Sequence, residues 1–319
     1  MVAAQTTGPT SRPPVGRSQT AAASRWARVL LLLAVLAGSA ALPGHAEQLK
    51  PITLRPDYRH DRWGTRPTDI VRQFEAYTTS FDSRADDGQA WGIPDFVAYE
   101  MKRLPRPLGA GPARPSPWIT DAGLNRQGLA PTDDTYAHSA AFLRSHPDWY
   151  VRGHLCMKEH AWRLGANADW NTHTVLNAVP QRSSFNSGIW LALENKTAEW
   201  ADKYGDVWIV TGPVIDGRRP KAYLGEPAKH EMLIAIPDAL FKIVIRETRD
   251  PQRPEVLAFR FPQSHPKYRK RPGEKAYDLA YFLVTVDSIE AATGLDFLTT
   301  LPDAIEAELE ARKATRLWE

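Results

Sequence analysis

Hydrophobic positions cluster in short runs through the second half of the chain. Residues 96–101 alternate between apolar and polar side chains, and the later runs are rich in β-branched and aromatic residues. Runs of about four to eight such residues, bounded by Pro and Gly, predict β-strands. The later runs are 207–211, which we expect to end at Gly212-Pro213, then 241–245, 256–261 and 281–286. We therefore expect an α+β fold with a central, mostly antiparallel sheet flanked by helices.

Two C-terminal segments predict helices, and one earlier segment predicts a loop. Residues 287–294 end in Gly294, which suits the left-handed position after a helix. Residues 302–316 predict a terminal helix. Residues 104–117 contain five prolines and two glycines. Because this composition excludes a helix or a central strand, we expect a surface loop there.

The first 46 residues have the pattern of a secretory signal peptide. Arg25 and Arg28 precede an apolar run over 29–41, which is shorter than the roughly 20 residues that span a bilayer. Small residues before and at Ala46 suit a cleavage site. We expect removal after Ala46 and a periplasmic or secreted protein without stable membrane association; a membrane anchor is the alternative.

The mature chain would then consist of an N-terminal extension, residues 47–94, and a main domain, residues 95–319. The whole chain carries a net charge of +3, and the signal peptide contains four arginines and no acidic residue. The mature charge is therefore −1, so attraction to a polyanion must come from a local patch. The basic residues between 263 and 273 are a candidate. Cys156, as the single cysteine, cannot form an internal disulfide.

Residues 149–194 combine a compact structural pattern with candidate chemistry. Two β-branched and aromatic runs, 149–155 and 172–179, predict strands, and we expect Pro180 to stop the second. From Gly188 the apolar residues recur at helical spacing, after Ser and Asn residues suited to capping. The predicted order is strand, loop, strand, loop, helix.

The polar residues of this stretch are, in order, Arg152-Gly153-His154, Asn177, Gln181, Asn186 and Glu194. In type and order they resemble the DNA/RNA non-specific endonucleases, whose active site is a ββα-metal (His-Me) finger. The resemblance extends over roughly residues 95–305 and implies metal-dependent hydrolysis of DNA and RNA to 5′-phosphate ends.

Three of these residues have roles that their chemistry supports. Neutral imidazole is a suitable base for activating water near pH 7, so His154 is the expected general base. The resemblance implies that Asn186 binds the metal, and an oxygen ligand suits Mg²⁺, with Mn²⁺ as an alternative; the residue would otherwise be a helix cap. Glu194 would act on the metal through water, or else be a solvated helix residue.

The remaining site residues would position groups or contact phosphate. By resemblance, Asn177 and Gln181 order metal-bound water and the segment of His154. Arg152 offers a planar fork for phosphate, unless it forms a structural ion pair. The chain departs from the family at Val151, where members have Asp. It also lacks the expected Arg just before Trp118, and Arg114 is the candidate substitute only if the Pro-rich loop shifts to place it there.

Two other interpretations stay open at this stage. His154, Cys156 and His160, with His173 nearby, could hold zinc instead. The departures at residue 151 and before Trp118 also allow a weak or inactive nucleic-acid-binding protein on the same fold. DNA and RNA are the expected partners in either case, and a homodimer and an inhibitor protein stay open.

Overall fold

The computed structural model describes residues 59–67, 70–82, 90–104, 109–136, 149–268 and 276–319. The predicted signal peptide lies outside these ranges, as do Lys270 and Arg271 of the basic loop. Within the described part of the chain, no helix is long and apolar enough to cross a membrane.

A seven-stranded sheet forms the centre of the fold. The strands are β1 (Ile70–Gln73), β2 (Thr78–Phe81), β3 (Pro94–Met101), β4 (Tyr150–His154), β5 (Ala178–Arg182), β6 (Val207–Val214), β7 (Tyr223–Leu224), β8 (Ile234–Ala235), β9 (Ala239–Arg246), β10 (Glu255–Pro262) and β11 (Leu283–Val284). The sheet has the order β1-β2-β3-β6-β9-β10-β11, and every neighbouring pair is antiparallel. β4 with β5, and β7 with β8, form separate antiparallel pairs. The predicted α+β fold with a mostly antiparallel sheet is confirmed.

Helices cover both faces of the sheet. They are α1 (Ala122–Arg126), α2 (Lys158–Trp162), α3 (Ala166–Asn171), α4 (Leu191–Tyr204), α5 (Val286–Thr293) and α6 (Asp303–Ala311). Side chains alternate across a strand, so β9 divides its residues between two cores. Leu240 and Val244 belong to the core that contains α4, whereas Phe241 and Ile243 belong to the core that contains α5 and α6.

The sheet begins earlier than the sequence indicated. β1 and β2 fall inside the predicted extension, residues 47–94, yet β2 pairs with β3 over Thr78–Phe81. These strands were missed because they are only four residues long and contain few large apolar side chains. The domain boundary at residue 95 is therefore too late.

Two prolines lie inside strands that we expected them to end. Ser183 N donates to Trp149 O and Leu155 N donates to Asn177 O, so the odd-numbered residues in and beside β5 form the backbone hydrogen bonds with β4. Pro180 therefore faces away from β4 and costs no hydrogen bond of the ladder. Pro213 continues β6 because β3 pairs only up to Thr211, which leaves β9 as the sole neighbour beyond that point.

Gln263 covers the outer edge of β5. Its amide nitrogen donates to Pro180 O at 2.6 Å, and its amide oxygen accepts from Arg182 N at 3.0 Å. An exposed strand edge invites pairing with another chain, and a side-chain amide here takes the place of a further strand.

The C-terminal predictions were correct in type and inexact in extent. Gly294 has φ 75° and follows α5, as predicted. The 281–286 run supplies only a two-residue strand, because it lies between a 3-10 turn at Leu279–Phe282 and the start of α5. The terminal helix ends at Ala311, with Arg312 extended. Residues 109–117 contain neither helix nor strand, as expected for the Pro-rich loop.

Candidate active site

A cleft of about 510 Å³ brings together most of the predicted site residues. Five of the seven line it: Arg114, Arg152, His154, Asn186 and Glu194. The other lining residues are Trp118, Val151, Met157, Lys158, Glu159, Ser187 and Leu191. Asn177 and Gln181 are fully buried and are not among the lining residues.

The cleft is built on a strand, strand, helix unit, which we call the finger (residues 150–204). β4 and β5 pair from Tyr150↔Arg182 to His154↔Ala178. A helical turn at Ser183–Phe185 and a π-helical turn at Asn186–Trp190 then lead directly into α4. Asn186 has helical φ/ψ of −59°/−48°, so it is not the extended cap residue considered as its alternative role.

His154 lies in an aromatic cluster at the cleft wall. Its ring centroid is 4.6 Å from that of Trp118 and 5.5 Å from that of His173. Its Nε2 is buried without a hydrogen-bond partner among the described residues. Burial, together with His173 and the Arg114 guanidinium, lowers the pKa of His154 well below its usual range. The imidazole is therefore neutral at pH 7, the state in which it can accept a proton.

Arg152 combines an ion pair with a position in the cleft. Its Nε donates to the Asp133 carboxylate, and its guanidinium carbon lies 5.6 Å from the Trp118 ring centroid and 5.9 Å from that of Tyr136. The structural ion pair therefore exists. A second bond, from Nη2 to Asp133 O at 3.5 Å, and the aromatic rings hold the guanidinium at the cleft wall and leave Nη1 free of Asp133.

Arg114 reaches the cleft because the Pro-rich loop packs against α2 and α3. Trp162 Nε1 donates to Gly109 O at 3.1 Å. A Cβ at Gly111 would lie 2.6 Å from Lys158 Nζ, so a larger residue there would require the Lys158 side chain to shift. The structure thus places Arg114 in the cleft, whereas the sequence offered it only conditionally.

Asn177 fixes the segment that follows His154. Its Oδ1 accepts from Cys156 N at 2.8 Å, and its Nδ2 donates to Cys156 O at 2.9 Å and Thr172 O at 3.0 Å. These bonds satisfy both sides of the amide, so Asn177 acts on the backbone beyond His154. It holds the end of β4 rather than contacting the cleft.

Gln181 packs across Gly153. A Cβ at Gly153 would lie 2.2 Å from both Cγ and Cδ of Gln181, so the Arg-Gly-His sequence needs its glycine for this contact. Both amide atoms of Gln181 are buried and lack a hydrogen-bond partner among the described residues. Gln181 lies opposite Val151, the apolar residue at the position where the family has Asp.

Glu194 is a buried carboxylate at the floor of the cleft, so it is not a solvated helix residue. It is 5% exposed, and its Oε1 lies 3.7 Å from Nζ of the fully buried Lys242. Burial raises the pKa of Glu194 to about 7, and the Lys242 ammonium opposes that rise. Sequence analysis missed Lys242 because a lysine within the apolar run 241–245 carries no motif signal.

The zinc interpretation is wrong for these residues. Cys156 Sγ donates to Ala76 O, while His160 uses both ring nitrogens, one with Tyr99 OH at 3.0 Å and one with Glu194 O at 3.1 Å. Across the described chain, the acidic group Asp287, Glu290 and Glu310 is the one set of three His, Cys, Asp or Glu side chains close enough to share an ion. Cys156 is a buried core residue.

Sequence analysis also missed Lys158 and Glu159, which line the cleft from the start of α2. Lys158 Nζ forms a buried ion pair with Asp169 Oδ2 at 2.9 Å. A signal was available in hindsight, because both residues lie within five positions of His154 in the chain. Neither residue type at that spacing is diagnostic, however.

The donor set fits a hard divalent cation. Asn186 supplies a neutral oxygen, and Glu194 supplies a carboxylate whose Oε1 is buried without a hydrogen-bond partner among the described residues. Oxygen donors of this kind suit Mg²⁺ and Mn²⁺, whereas thiolate is absent from the lining. The finger, the antiparallel sheet and the cleft together define a ββα-metal nuclease fold.

Comparison with known proteins agrees with this class. The family model described as DNA/RNA non-specific endonuclease matches residues 64–304. The nuclease of Serratia marcescens is 32% identical over 256 residues, which cover 78% of this chain and 82% of that protein. The mitochondrial endonuclease G of Homo sapiens is 27% identical over 235 residues, covering 72% of this chain and 70% of that protein.

The fold has a solved counterpart as well. A crystal structure of the EndoG/EndoGI complex matches with a TM-score of 0.58 and 19% identity, covering 76% of this chain and 91% of that one. The chain belongs to the DNA/RNA non-specific endonuclease family, a family of metal-dependent nuclease hydrolases.

Proposed function

We propose that this chain is an exported, Mg²⁺-dependent, sugar-non-specific endonuclease that hydrolyses DNA and RNA to 5′-phosphate ends. The observation that carries the proposal is the convergence of His154, Asn186 and Glu194 on one cleft. A neutral base and two oxygen donors on facing elements are the groups that metal-assisted phosphodiester hydrolysis needs.

His154 takes the proton from the attacking water. Its lowered pKa keeps the imidazole free to accept that proton at neutral pH, and the contact with Trp118 fixes the plane of the ring. Asn177 holds the backbone beyond His154, and Gln181 holds Gly153 before it. Both amides are thus positioning residues that fix the base from either side.

Asn186 would hold the metal, and Glu194 would act on it through water from the floor of the cleft. When bound, Mg²⁺ supplies Lewis-acid chemistry to the phosphate and stabilises the leaving 3′ oxygen. Mn²⁺ has the same preference for oxygen ligands and is expected to substitute.

Arg152 and Arg114 contact the phosphate. Arg152 enters from β4 with its orientation set by Asp133, whereas Arg114 enters from the exposed Pro-rich loop. Phosphate contacts carry no base identity, so these residues support cleavage that is indifferent to sequence and to the sugar.

The pattern of residues 1–46 supports export, and secretion of this protein to the periplasm or medium is part of the proposal. Mass spectrometry of the mature protein is expected to find Glu47 at or near its N-terminus. An active protein that begins at Met1 or Val2 would overturn this part.

The decisive experiment is digestion of supercoiled plasmid and of RNA by the purified protein, with Mg²⁺ and with EDTA. We expect nicking of both polymers, its loss in EDTA and its return with added Mg²⁺ or Mn²⁺. His154→Ala protein purified in parallel controls for contaminating nuclease. Val151 favours the competing function of a non-catalytic nucleic-acid-binding protein, which predicts retention of DNA without metal-dependent nicking.

A further inference from the structure

Lys242 occupies a position that the pattern of β9 reserves for an apolar side chain. Because side chains alternate across a strand, it points to the same face as Leu240 and Val244, which belong to the core beneath α4. Lys242 is 0% exposed and lies between β6 and β10 at the centre of the sheet. A charged group there is costly unless a partner compensates it.

The partners of Lys242 belong to the metal-binding end of the finger. Its Nζ lies 3.7 Å from Glu194 Oε1 and 4.3 Å from the ring centroid of Trp190. Trp190 ends the π-helical turn that begins with Asn186. One ammonium therefore contacts both the turn that carries the metal ligand and the carboxylate that faces the cleft.

The rest of Glu194 is already held in place. Tyr99 OH donates to His160 Nδ1 at 3.0 Å, and His160 Nε2 donates to Glu194 O at 3.1 Å. These bonds fix the backbone of Glu194 and leave the direction of its side chain to be set. Among the described residues, Lys242 Nζ has no hydrogen-bond partner. Its ionic contact with Glu194 and its contact with the Trp190 ring are therefore the interactions that connect it to the site.

We propose that Lys242 is a positioning residue, whose ammonium holds the Glu194 carboxylate toward the cleft so that it can bind the metal's water ligands. This inference rests on the proposed function, because it assigns a support to the same metal site. Groups that orient a metal's outer ligands typically change metal affinity or activity by about 10- to 100-fold when they are removed.

The direction of the change in metal affinity distinguishes this role from a purely electrostatic effect of the Lys242 charge. Lys242 is a cation near a cation site, so loss of its charge alone would strengthen metal binding by reducing repulsion. Loss of its support for Glu194 would weaken binding. Metal affinity therefore moves in opposite directions under the two explanations.

The test is a double-mutant cycle for Mn²⁺ binding to metal-free protein without nucleic acid, measured by electron paramagnetic resonance. The variants are Lys242→Met, Glu194→Gln and the two combined. We expect Lys242→Met to raise the Kd for Mn²⁺ by about tenfold. The double variant should bind no more weakly than Glu194→Gln alone, because Lys242 acts through that carboxylate.

A matched control separates support of Glu194 from general stability. Thr211 pairs with Lys242 across β6 and β9 and is also fully buried, with its hydroxyl bonded to Phe241 O at 2.7 Å. Thr211→Val should lower the melting temperature and leave the Kd for Mn²⁺ unchanged. If Lys242→Met alone does not fold, the double variant, which removes both buried charges, is compared with Glu194→Gln, and binding no weaker than that of Glu194→Gln is again expected.

Three outcomes would overturn the inference. These are an unchanged or tighter Kd in folded Lys242→Met, an additive loss in the double variant, and a loss of the same size in Thr211→Val. If the wild-type protein binds Mn²⁺ and cleaves DNA while the cycle is additive, only the role of Lys242 fails. A wild-type protein that neither binds Mn²⁺ nor cleaves would overturn both the proposed function and this inference.

Discussion

Replacing Gly153 by Ala tests how closely the finger controls the position of His154. The new Cβ would lie 2.2 Å from Cγ and Cδ of Gln181, whereas carbon atoms in contact prefer about 3.5–4.0 Å. One side must therefore give way by about 1.3 Å or more. Gln181 is fully buried, so the strain falls on the hairpin and on the residue next to Gly153, which is His154.

The expected losses follow from these distances. Overpacking of this kind costs about 1–3 kcal/mol, which corresponds to a fall of about 2–12 °C in the melting temperature of a domain this size. A displacement of about 1 Å at a catalytic group can cost about 100-fold in rate. We therefore expect Gly153→Ala to lose more in kcat than its stability loss explains, when plasmid nicking is measured well below its melting temperature.

The assay includes a rescue and a control. Truncating the side chain in Gln181→Ala removes both clashing atoms, so Gly153→Ala should cost little further stability in that background. Gly109→Ala is the matched control, since a Cβ there would have no neighbour within 4 Å. Wild-type stability and activity in Gly153→Ala, or an undiminished cost in the Gln181→Ala background, would refute the reasoning.

Three more expectations concern the base, the basic loop and the effect of pH. His154→Ala should keep the fold by circular dichroism and lose on the order of 10²- to 10⁴-fold in nicking rate; a folded variant with wild-type activity would contradict the assignment of the base. Replacing Lys267, Lys270 and Arg271 together by Ala should raise KM and flatten the salt dependence with kcat nearly kept, because phosphate contacts release counterions; unchanged KM and salt slope would place the patch elsewhere. Burial and neighbouring carboxylates raise the pKa of Glu310 to about 8, so the folded state holds this proton more tightly than the unfolded state does. The free energy of unfolding should therefore fall as pH rises from roughly 4.5 toward 8. In thermal melts, Glu310→Gln should lose less stability over this pH range than the wild type, and an identical pH profile would show that Glu310 does not cause the loss.

Sequence patterns predicted the parts of the fold that rest on local rules. The strands at 96–101, 241–245 and 256–261 were correct because their apolar runs are long and bounded by turns. The glycine cap of α5 was correct because a left-handed residue after a helix strongly favours glycine. The short strands β1 and β2 depend on pairing with β3, which no local window contains.

The site residues likewise divide into those that a local sequence pattern reveals and those that depend on the folded structure. His154 and Asn186 were found because they belong to a motif with ordered spacing, and the cleft brings them together. Arg114 was left conditional, because its position depends on how the Pro-rich loop packs against Lys158 and Trp162. Lys242 was missed because its partner lies 48 positions away in the chain, and only the folded sheet brings the two charges together.

The hairpin of β4 and β5 is not a member of the seven-stranded sheet. The outer edge of β5 is hydrogen-bonded to the side-chain amide of Gln263, and the segment that follows β4 is hydrogen-bonded to the side-chain amide of Asn177. The two strands of the hairpin pair only with each other in the described structure, although Val179 of β5 and Val244 of β9 belong to one hydrophobic core. We therefore expect amide hydrogens of the hairpin to exchange with solvent faster than those of β6 and β9, which pair with a strand on each side.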